Sequence, residues 1–349
     1  MRSSYKKEDV IFLLKDITGL VEPKPAIERE RLIQSGCHYC EMLPMEYIPS
    51  KAYMEAYQEA LIHFAKPVAL SVGRLSDQIV EEKGKQVVLV SLARAGTPIG
   101  ILLKHYIRKK YGFSVPHYSI SIIRGRGIDH NAMQYLLNKH RAEELVFVDG
   151  WTGKGAILTE LQKEIAAYKG VSSRLAVIAD PANITDLCGT YQDILIPSSC
   201  LNSTISGLVS RTFLRDDLIG KDDFHGAAYY EELSEVDLSY AYLDAIEAEF
   251  QMDNGKREPR PREQGIDEVR QIARKYQIAD INLIKPGIGE TTRVLLRRIP
   301  WKILLAKEAK EDASLMHILR LAEEKGVPVE TVPLRRYKAC GLIQTMADT

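Results

Sequence analysis

The chain has 349 residues, with 47 Lys and Arg against 47 Asp and Glu. Its formal net charge of zero gives no overall attraction to nucleic acid or to an anionic membrane, so binding of either kind would need a local patch. No apolar run approaches the ~20 residues that cross a bilayer. The five scattered cysteines fit a reducing compartment better than a disulfide framework. We therefore expect a cytoplasmic protein of two domains with no membrane association.

Residues 1–85 are predicted to form a helical preface. Apolar residues recur on one face over 49–64 and 69–82, as is typical of helices. Ahead of them, Cys37 and Cys40 flank His38, a spacing found in redox and zinc sites. The chain lacks a second ligand pair and Pro44 disfavours a helix after the motif, so a structural loop is the favoured interpretation. A cysteine nucleophile activated by a histidine remains an alternative, because a sequence does not show which side chains lie close together.

Residues 86–250 alternate between predicted buried strands and helices. Strands are predicted at 87–92, 115–123, 145–148, 174–179 and 193–197, and helices begin near 97, 130 and 156. This alternation predicts a doubly wound α/β core built on a parallel sheet. Folds of this kind bind ligands beyond the carboxyl ends of their strands.

The turn that follows the strand at 145–148 is the most informative motif. Asp149 closes the strand, and small residues over 150–155 lead into the helix. The exposed amides and the helix dipole of such a turn suit a phosphate. The acid before it could accept hydrogen bonds from a sugar diol or hold a metal. An ordinary strand-to-helix turn with helix-packing glycines is the alternative.

These motifs resemble the type I phosphoribosyltransferases, and more narrowly the phosphoribosyltransferase family of bacterial tellurite-resistance and stress operons. The resemblance rests on 147–156, with support from 36–39 and 201–208. It implies that Mg²⁺ and phosphoribosyl diphosphate (PRPP) bind, with the metal at Asp149. The implied PRPP-binding residues are Ala95, Gly96, Asp149, Thr152, Gly153, Lys154, Gly155 and Ala156, and the implied catalytic residues are Asp149, Arg94, Arg124 and Arg126. Some family members carry a stress-induced cysteine protease label, which the lack of an ordered Cys/His/Asn pattern disfavours here.

The composition changes after residue 250. Pro, Gly and charged residues over 251–265 predict an exposed linker, and 266–349 predict a small α/β domain. Its helices are predicted at 267–276 and 315–325 and its strands at 301–306 and 327–333. This domain resembles the Pelota-type RNA-binding fold. The resemblance implies RNA contacts by Lys285, Gly287, Gly289, Glu290 and Arg293, in a patch that Arg297, Arg298, Arg335, Arg336 and Lys338 would widen. A small domain with solvated cations is the alternative.

The sequence thus predicts a phosphoribosyltransferase core with a helical preface and a C-terminal Pelota-like domain. Its expected activity is the transfer of a phosphoribosyl group from PRPP to an unidentified acceptor, with release of diphosphate. One alternative is a non-catalytic phosphoribosyl sensor coupled to RNA binding. The remaining alternative is a cysteine hydrolase in which Cys37 is the nucleophile. The oligomeric state stays open, a homodimer included.

Overall fold

The chief feature of the protein is a six-stranded parallel sheet, to which a small four-stranded domain is attached. It is described by a computed structural model that covers residues 1–46, 48–309 and 312–343. The strands are β1 (Ile11–Phe12), β2 (Lys15–Asp16), β3 (Val88–Leu92), β4 (His117–Ile120), β5 (Ile122–Ile123), β6 (Gly127–Ile128), β7 (Leu145–Trp151), β8 (Leu175–Ala179), β9 (Cys188–Thr190), β10 (Gly226–Ala227), β11 (Ile284–Pro286), β12 (Pro300–Ala306), β13 (Val329–Val332) and β14 (Ala339–Ile343).

The α-helices cover both faces of the large sheet, and helices also pack on the small sheet. They are α1 (Ala26–Gln34), α2 (Lys51–Lys83), α3 (Gly96–Tyr111), α4 (His130–Leu137), α5 (Ala156–Ile165), α6 (Ser239–Glu247), α7 (Gly265–Lys275), α8 (Ile288–Arg297) and α9 (Met316–Glu324). None of the helices in the described parts of the chain is long and apolar enough to cross a membrane.

The large sheet has the strand order β1-β4-β3-β7-β8-β9, with every pairing parallel. Successive residues of a strand point to opposite faces. Val146 and Val148 accordingly pack with α2 and α3 on one face, while Phe147 packs with α4 and α5 on the other. The predicted α/β core with a parallel sheet is therefore confirmed, although a specifically phosphoribosyltransferase fold is not.

The N-terminal segment differs from the predicted helical preface. Strand β1 extends the large sheet beside β4, and β2 pairs with β10. Both strands are two residues long, too short for a sequence pattern to reveal. The two predicted helices at 49–64 and 69–82 are a single helix, α2, that runs through Pro67. Its buried face, which includes Val68, Val72 and Leu75, holds the helix together across the proline.

The C-terminal domain is a four-stranded sheet in the order β11-β14-β12-β13. Strand β14 is antiparallel to both of its neighbours, whereas β12 and β13 are parallel. The predicted helices and the strands at 301–306 and 327–333 match α7, α9, β12 and β13 closely. The strand predicted at 193–197 is absent, because the last strand of the large sheet is β9 and the chain then turns into a 3₁₀ helix at Pro197–Cys200.

Candidate functional site

The loops that follow β3 and β7 lie side by side, since these strands are neighbours in the sheet. Gly96 begins α3 directly against β7. A Cβ atom at this position would overlap the carbonyl oxygen of Val148, so only glycine permits this close approach. The prediction that these two turns come together at the carboxyl ends of their strands agrees with this arrangement.

The turn after Asp149 is occupied by the C-terminal domain. The Tyr337 hydroxyl donates to the Gly153 carbonyl oxygen (2.7 Å), and the Lys154 ammonium donates to the Ile284 carbonyl oxygen (2.8 Å). The Thr152 hydroxyl donates to the buried carboxylate of Asp180. Burial lowers the pKa of Lys154 to about 8. Two of the residues that were predicted to hold a phosphate, Gly153 and Lys154, therefore join the large domain to the C-terminal domain.

Asp149 does not have the surroundings of a magnesium ligand. Its Oδ1 accepts from the amide of Gly150 (2.8 Å), and burial raises its pKa to about 6. The charged groups next to it are Arg293 and Glu290. Over the described ranges, no group of three or more His, Cys, Asp or Glu side chains is placed to hold a metal ion. The Arg293 guanidinium beside Asp149 and Glu290 repels a cation, so this donor set does not fit Mg²⁺.

Arg94 is held within the core by three acceptors. Its guanidinium donates to the Val209 carbonyl oxygen (2.9 Å) and to Asn202 Oδ1 (3.0 Å), and forms an ion pair with Glu46 (2.8 Å). A side chain bound in this way supports the 202–209 segment. The predicted role of holding diphosphate would require it to leave all three partners.

The turn that carries Arg124 and Arg126 joins β5 to β6 and packs on the segment around Cys40. The Arg124 carbonyl oxygen lies 3.1 Å from His38 Nε2, and the Arg124 amide donates to the Tyr39 hydroxyl (2.9 Å). Arg126 forms an ion pair with Glu41 (2.7 Å). The sequence analysis named Arg124 and Arg126 as catalytic candidates and did not link them to the cysteine motif. The structure places this turn and the motif together.

The central contact of this region joins Cys40 to His38. The Cys40 Sγ lies 2.9 Å from His38 Nδ1, and the Cys40 amide also points at this nitrogen (3.4 Å). His38 Nε2 faces the Arg124 carbonyl oxygen, which can only accept, so the network assigns the proton to Nε2 and leaves Nδ1 as the acceptor. A thiol, a base and a group that orients the base is the arrangement of an activated nucleophile.

Burial keeps this thiol neutral at rest. Cys40 has 0% of its surface exposed, and its Sγ also lies 3.5 Å from the Leu214 carbonyl oxygen. Desolvation raises the pKa of Cys40 to about 11. A thiol in such surroundings must lose its proton to the imidazole as it attacks, rather than beforehand.

Cys37, which the sequence put forward as the hydrolase residue, lies beside a different partner. Its Sγ is 3.5 Å from Glu41 Oε2, and burial together with that carboxylate raises the pKa of Cys37. The imidazole is bonded to Cys40 instead. The signal for this pairing was present in the sequence, since His38 and Cys40 are only two residues apart, but the loop conformation that joins them was not.

The residues predicted to contact RNA lie where α8 meets the large domain. The amide of Ile288, at the start of α8, donates to Asp193 (3.1 Å), and a Cβ on Gly289 would lie 3.1 Å from the Trp151 ring. Arg293 pairs with Glu290 (2.8 Å) and its guanidinium lies 5.9 Å from the Trp151 ring centroid. Lys285 lies in β11, and Gly287 is the residue just before α8. The side chain of Arg297 lies outside the described part of the chain.

The fold and this site define an α/β protein with a thiol–imidazole pair in its large domain and a small accessory domain at its C-terminus. The chain belongs to the family described as tellurite-like stress resistance cysteine protease StiP, whose family model matches residues 3–247. A model of the PELOTA RNA binding domain matches residues 263–345. The curated protein named cysteine protease StiP, from Acinetobacter baylyi, is 36% identical over 369 residues, which cover 98% of this chain and 94% of that protein.

The identification as a phosphoribosyltransferase is therefore wrong, and with it the predicted transfer from PRPP to an acceptor. The cysteine protease label that the sequence analysis set aside is the name that the family and this relative carry. The physical reason for the error is that a strand, an acid and a turn of small residues also serve to dock a second domain, as Gly153 and Lys154 do here.

Proposed function

We propose that this chain is a cysteine peptidase in which Cys40 is the nucleophile and His38 its general base. The observation that carries the proposal is the 2.9 Å separation of Cys40 Sγ and His38 Nδ1 within the stretch that the protease family model matches. The carbonyl oxygen of Arg124 holds the imidazole by its other nitrogen at 3.1 Å. The family name and the relative's name support a peptide as the substrate.

In the proposed reaction, His38 Nδ1 takes the thiol proton as Cys40 Sγ bonds to the peptide carbonyl carbon. The imidazolium then gives this proton to the amine, which leaves as its C–N bond breaks and an acyl-thioester remains on Cys40. Water attacks the thioester, again with His38 as base, and the acid and the free thiol are released. The Arg124 carbonyl fixes the ring orientation and accepts from Nε2–H throughout.

Cys40 is buried, so substrate access requires the Arg126 side chain to move aside while the Arg124 carbonyl stays on His38. The turn is fastened to the Cys40 segment at Arg124 and by the ion pair of Arg126 with Glu41. Arg126 is half exposed in this pair, so the pair itself contributes little to keeping the turn closed. Removal of Arg126 should therefore leave the fold intact and change access to the thiol only a little.

We expect Cys40→Ala to reduce peptide hydrolysis by ~10³-fold or more, because the nucleophile is lost. Cys37→Ala is the matched control and should retain activity. The measurement is cleavage of fluorescently labelled casein, together with mass-spectrometric mapping of the site modified by a peptidyl epoxide. Loss of hydrolysis and of labelling in Cys37→Ala but not in Cys40→Ala would contradict the assignment.

A second candidate function is RNA binding by the C-terminal domain, favoured by the match of residues 263–345 to the PELOTA RNA binding domain. The proposed contacts are those predicted from the sequence, with Lys285 and Arg293 supplying the positive charge. Burial lowers the pKa of Lys285, and the positive charges of Arg298, Arg293 and Arg124 nearby add to this lowering. An RNA phosphate would relieve that repulsion.

We expect Arg293→Ala to weaken RNA binding and to make its salt dependence shallower, because one phosphate contact is lost. The measurement is filter binding of a structured RNA over a series of salt concentrations. Arg335→Ala serves as the comparison, since Arg335 is 78% exposed on the outer side of the same domain. If Arg335→Ala weakens binding while Arg293→Ala does not, the contact lies on the outer surface and the predicted loop is not the RNA site.

A further inference from the structure

We propose that Arg29, Arg211 and Arg298 form a binding site for a compact, multiply charged oxyanion of the phosphate class. The site lies where the large domain meets α8 and is distinct from the Cys40–His38 pair. Two buried donors there, Arg29 Nε and Arg298 Nε, have no acceptor among the described residues, and positive charge surrounds them.

The first observation is that two of these arginines have unused donors. Arg29 Nε and Arg298 Nε are buried and have no hydrogen-bond partner within the described residues. Arg298 uses another nitrogen to pair with Glu30 (2.9 Å). The Arg211 guanidinium lies over the Tyr39 ring, 5.2 Å from its centroid. Buried donors in native proteins normally have partners, so donors left open together indicate a ligand.

The second observation is an excess of positive charge. Burial, together with the nearby charges of Arg29, Arg94 and Arg293, lowers the pKa of Arg211 to about 9. Burial and the charges of Arg298 and Arg94 likewise lower the pKa of Arg29. The arginines are therefore close enough to repel one another.

The neighbouring carboxylates are already engaged with other arginines. Glu46 pairs with Arg94 (2.8 Å), Glu290 with Arg293 (2.8 Å) and Glu30 with Arg298 (2.9 Å). No such pair involves Arg29 or Arg211 among the residues that the structure describes. The site therefore keeps a surplus of positive charge that an anion would neutralise.

The chemistry of the site favours a phosphate-type anion. Guanidinium groups present planar pairs of N–H donors that match the oxygens of phosphate. The open donors belong to Arg29 in α1 and to Arg298 at the end of α8, and Arg211 adds a charge from a third segment of the chain. They are half-buried or buried, which suits a compact anion better than an extended polymer backbone. Binding would join the two domains through Arg298 on one side and Arg29 and Arg211 on the other.

The test is thermal unfolding with inorganic phosphate, compared with chloride at the same ionic strength. Phosphate should raise the Tm of the full chain by several degrees beyond chloride. Arg211→Met and Arg29→Met should each abolish that increase, whereas Arg108→Met, on the exposed side of α3, should retain it. Without phosphate, Arg211→Met should have a higher Tm than the wild type, because a repelled cation has been removed.

Titration calorimetry with phosphate and with a nucleoside monophosphate distinguishes two sources of the anion. Equal affinities indicate free phosphate, and tighter binding of the nucleotide indicates a phosphate carried by a small metabolite. The proposal is overturned if phosphate acts no more strongly than chloride, if both variants keep the full increase in Tm, or if only RNA or an acidic peptide stabilises the chain. Cys40→Ala should keep the increase in Tm with phosphate. The anion site can therefore be tested even if the assignment of Cys40 as the peptidase nucleophile is wrong.

Discussion

We expect Asp193→Ala to loosen the C-terminal domain and to lower the free energy of unfolding by about 2–4 kcal/mol at pH 7. Asp193 is buried and accepts from the amides of Ile288 (3.1 Å) and Lys338 (2.8 Å). These two amides belong to different parts of the small domain, so a single side chain on the large domain fixes both. Alanine would leave both donors buried and unsatisfied.

The pH dependence of this effect has a definite sign. Burial raises the pKa of Asp193 to about 6, above its value in the unfolded chain. A raised carboxyl pKa means that the charged form is disfavoured in the folded state, so this residue contributes most below pH ~4 and less as the pH rises to about 6. The difference in stability between wild type and Asp193→Ala should therefore narrow over that interval and stay constant above it.

Urea unfolding at pH 4 and pH 7, together with limited proteolysis of the 251–264 linker, measures both effects. Asp267→Ala is the matched control, because Asp267 is exposed and pairs with Arg270 one helical turn away. It should change neither the stability nor the rate of cleavage. An unchanged cleavage rate in Asp193→Ala would show that Asp193 does not hold the domains together.

The parts of the fold that local sequence determines could be predicted. Strand β7 is a run of buried apolar residues, and α5 begins at Ala156 as expected from the turn before it. The C-terminal helices have strong amphipathic patterns and lie within two residues of their predicted limits. In each case the hydrophobic periodicity of one short segment carries the information, and no distant contact is needed.

The site could not be predicted in the same way, because its residues meet only in the folded chain. Cys40 gains its oriented base through the carbonyl of Arg124, which is distant in sequence. Arg211 is an ordinary basic residue until Arg29 and Arg293 are placed around it. The turn after Asp149 had the correct local form for a phosphate, and only the position of Tyr337 reveals its use. A motif specifies a backbone conformation, whereas its chemistry depends on what the rest of the chain brings to it.

We expect His105→Ala to destabilise the protein by roughly 3 kcal/mol at pH 6 and by little at pH 10. His105 lies on α3, with Nε2 2.7 Å from Asp9 Oδ1 and Nδ1 2.6 Å from Glu247 Oε1. Burial opposes the charging of this imidazole, but the two carboxylates outweigh burial and raise its pKa from 6.5 to about 9. His105 therefore joins the N-terminal segment, α3 and α6 through a charged network.

A histidine with a raised pKa gives its full stabilisation below pH ~6.5 and loses it as the pH rises through about 9. At the acid end, hydrogen bonds from His105 and Tyr240 outweigh burial and lower the pKa of Asp9 to about 2, so its contribution is present above pH ~3.8 and is lost toward pH 2. The pKa shifts of His105 and Asp9 arise from the same ion pair, so their contributions to the free energy of unfolding are counted once. Urea unfolding of wild type, His105→Ala and the exposed control His63→Ala, at pH 6 and at pH 10, measures the difference. A gap between wild type and His105→Ala that is equally large at both pH values would mean that the imidazole acts by packing rather than by its charge.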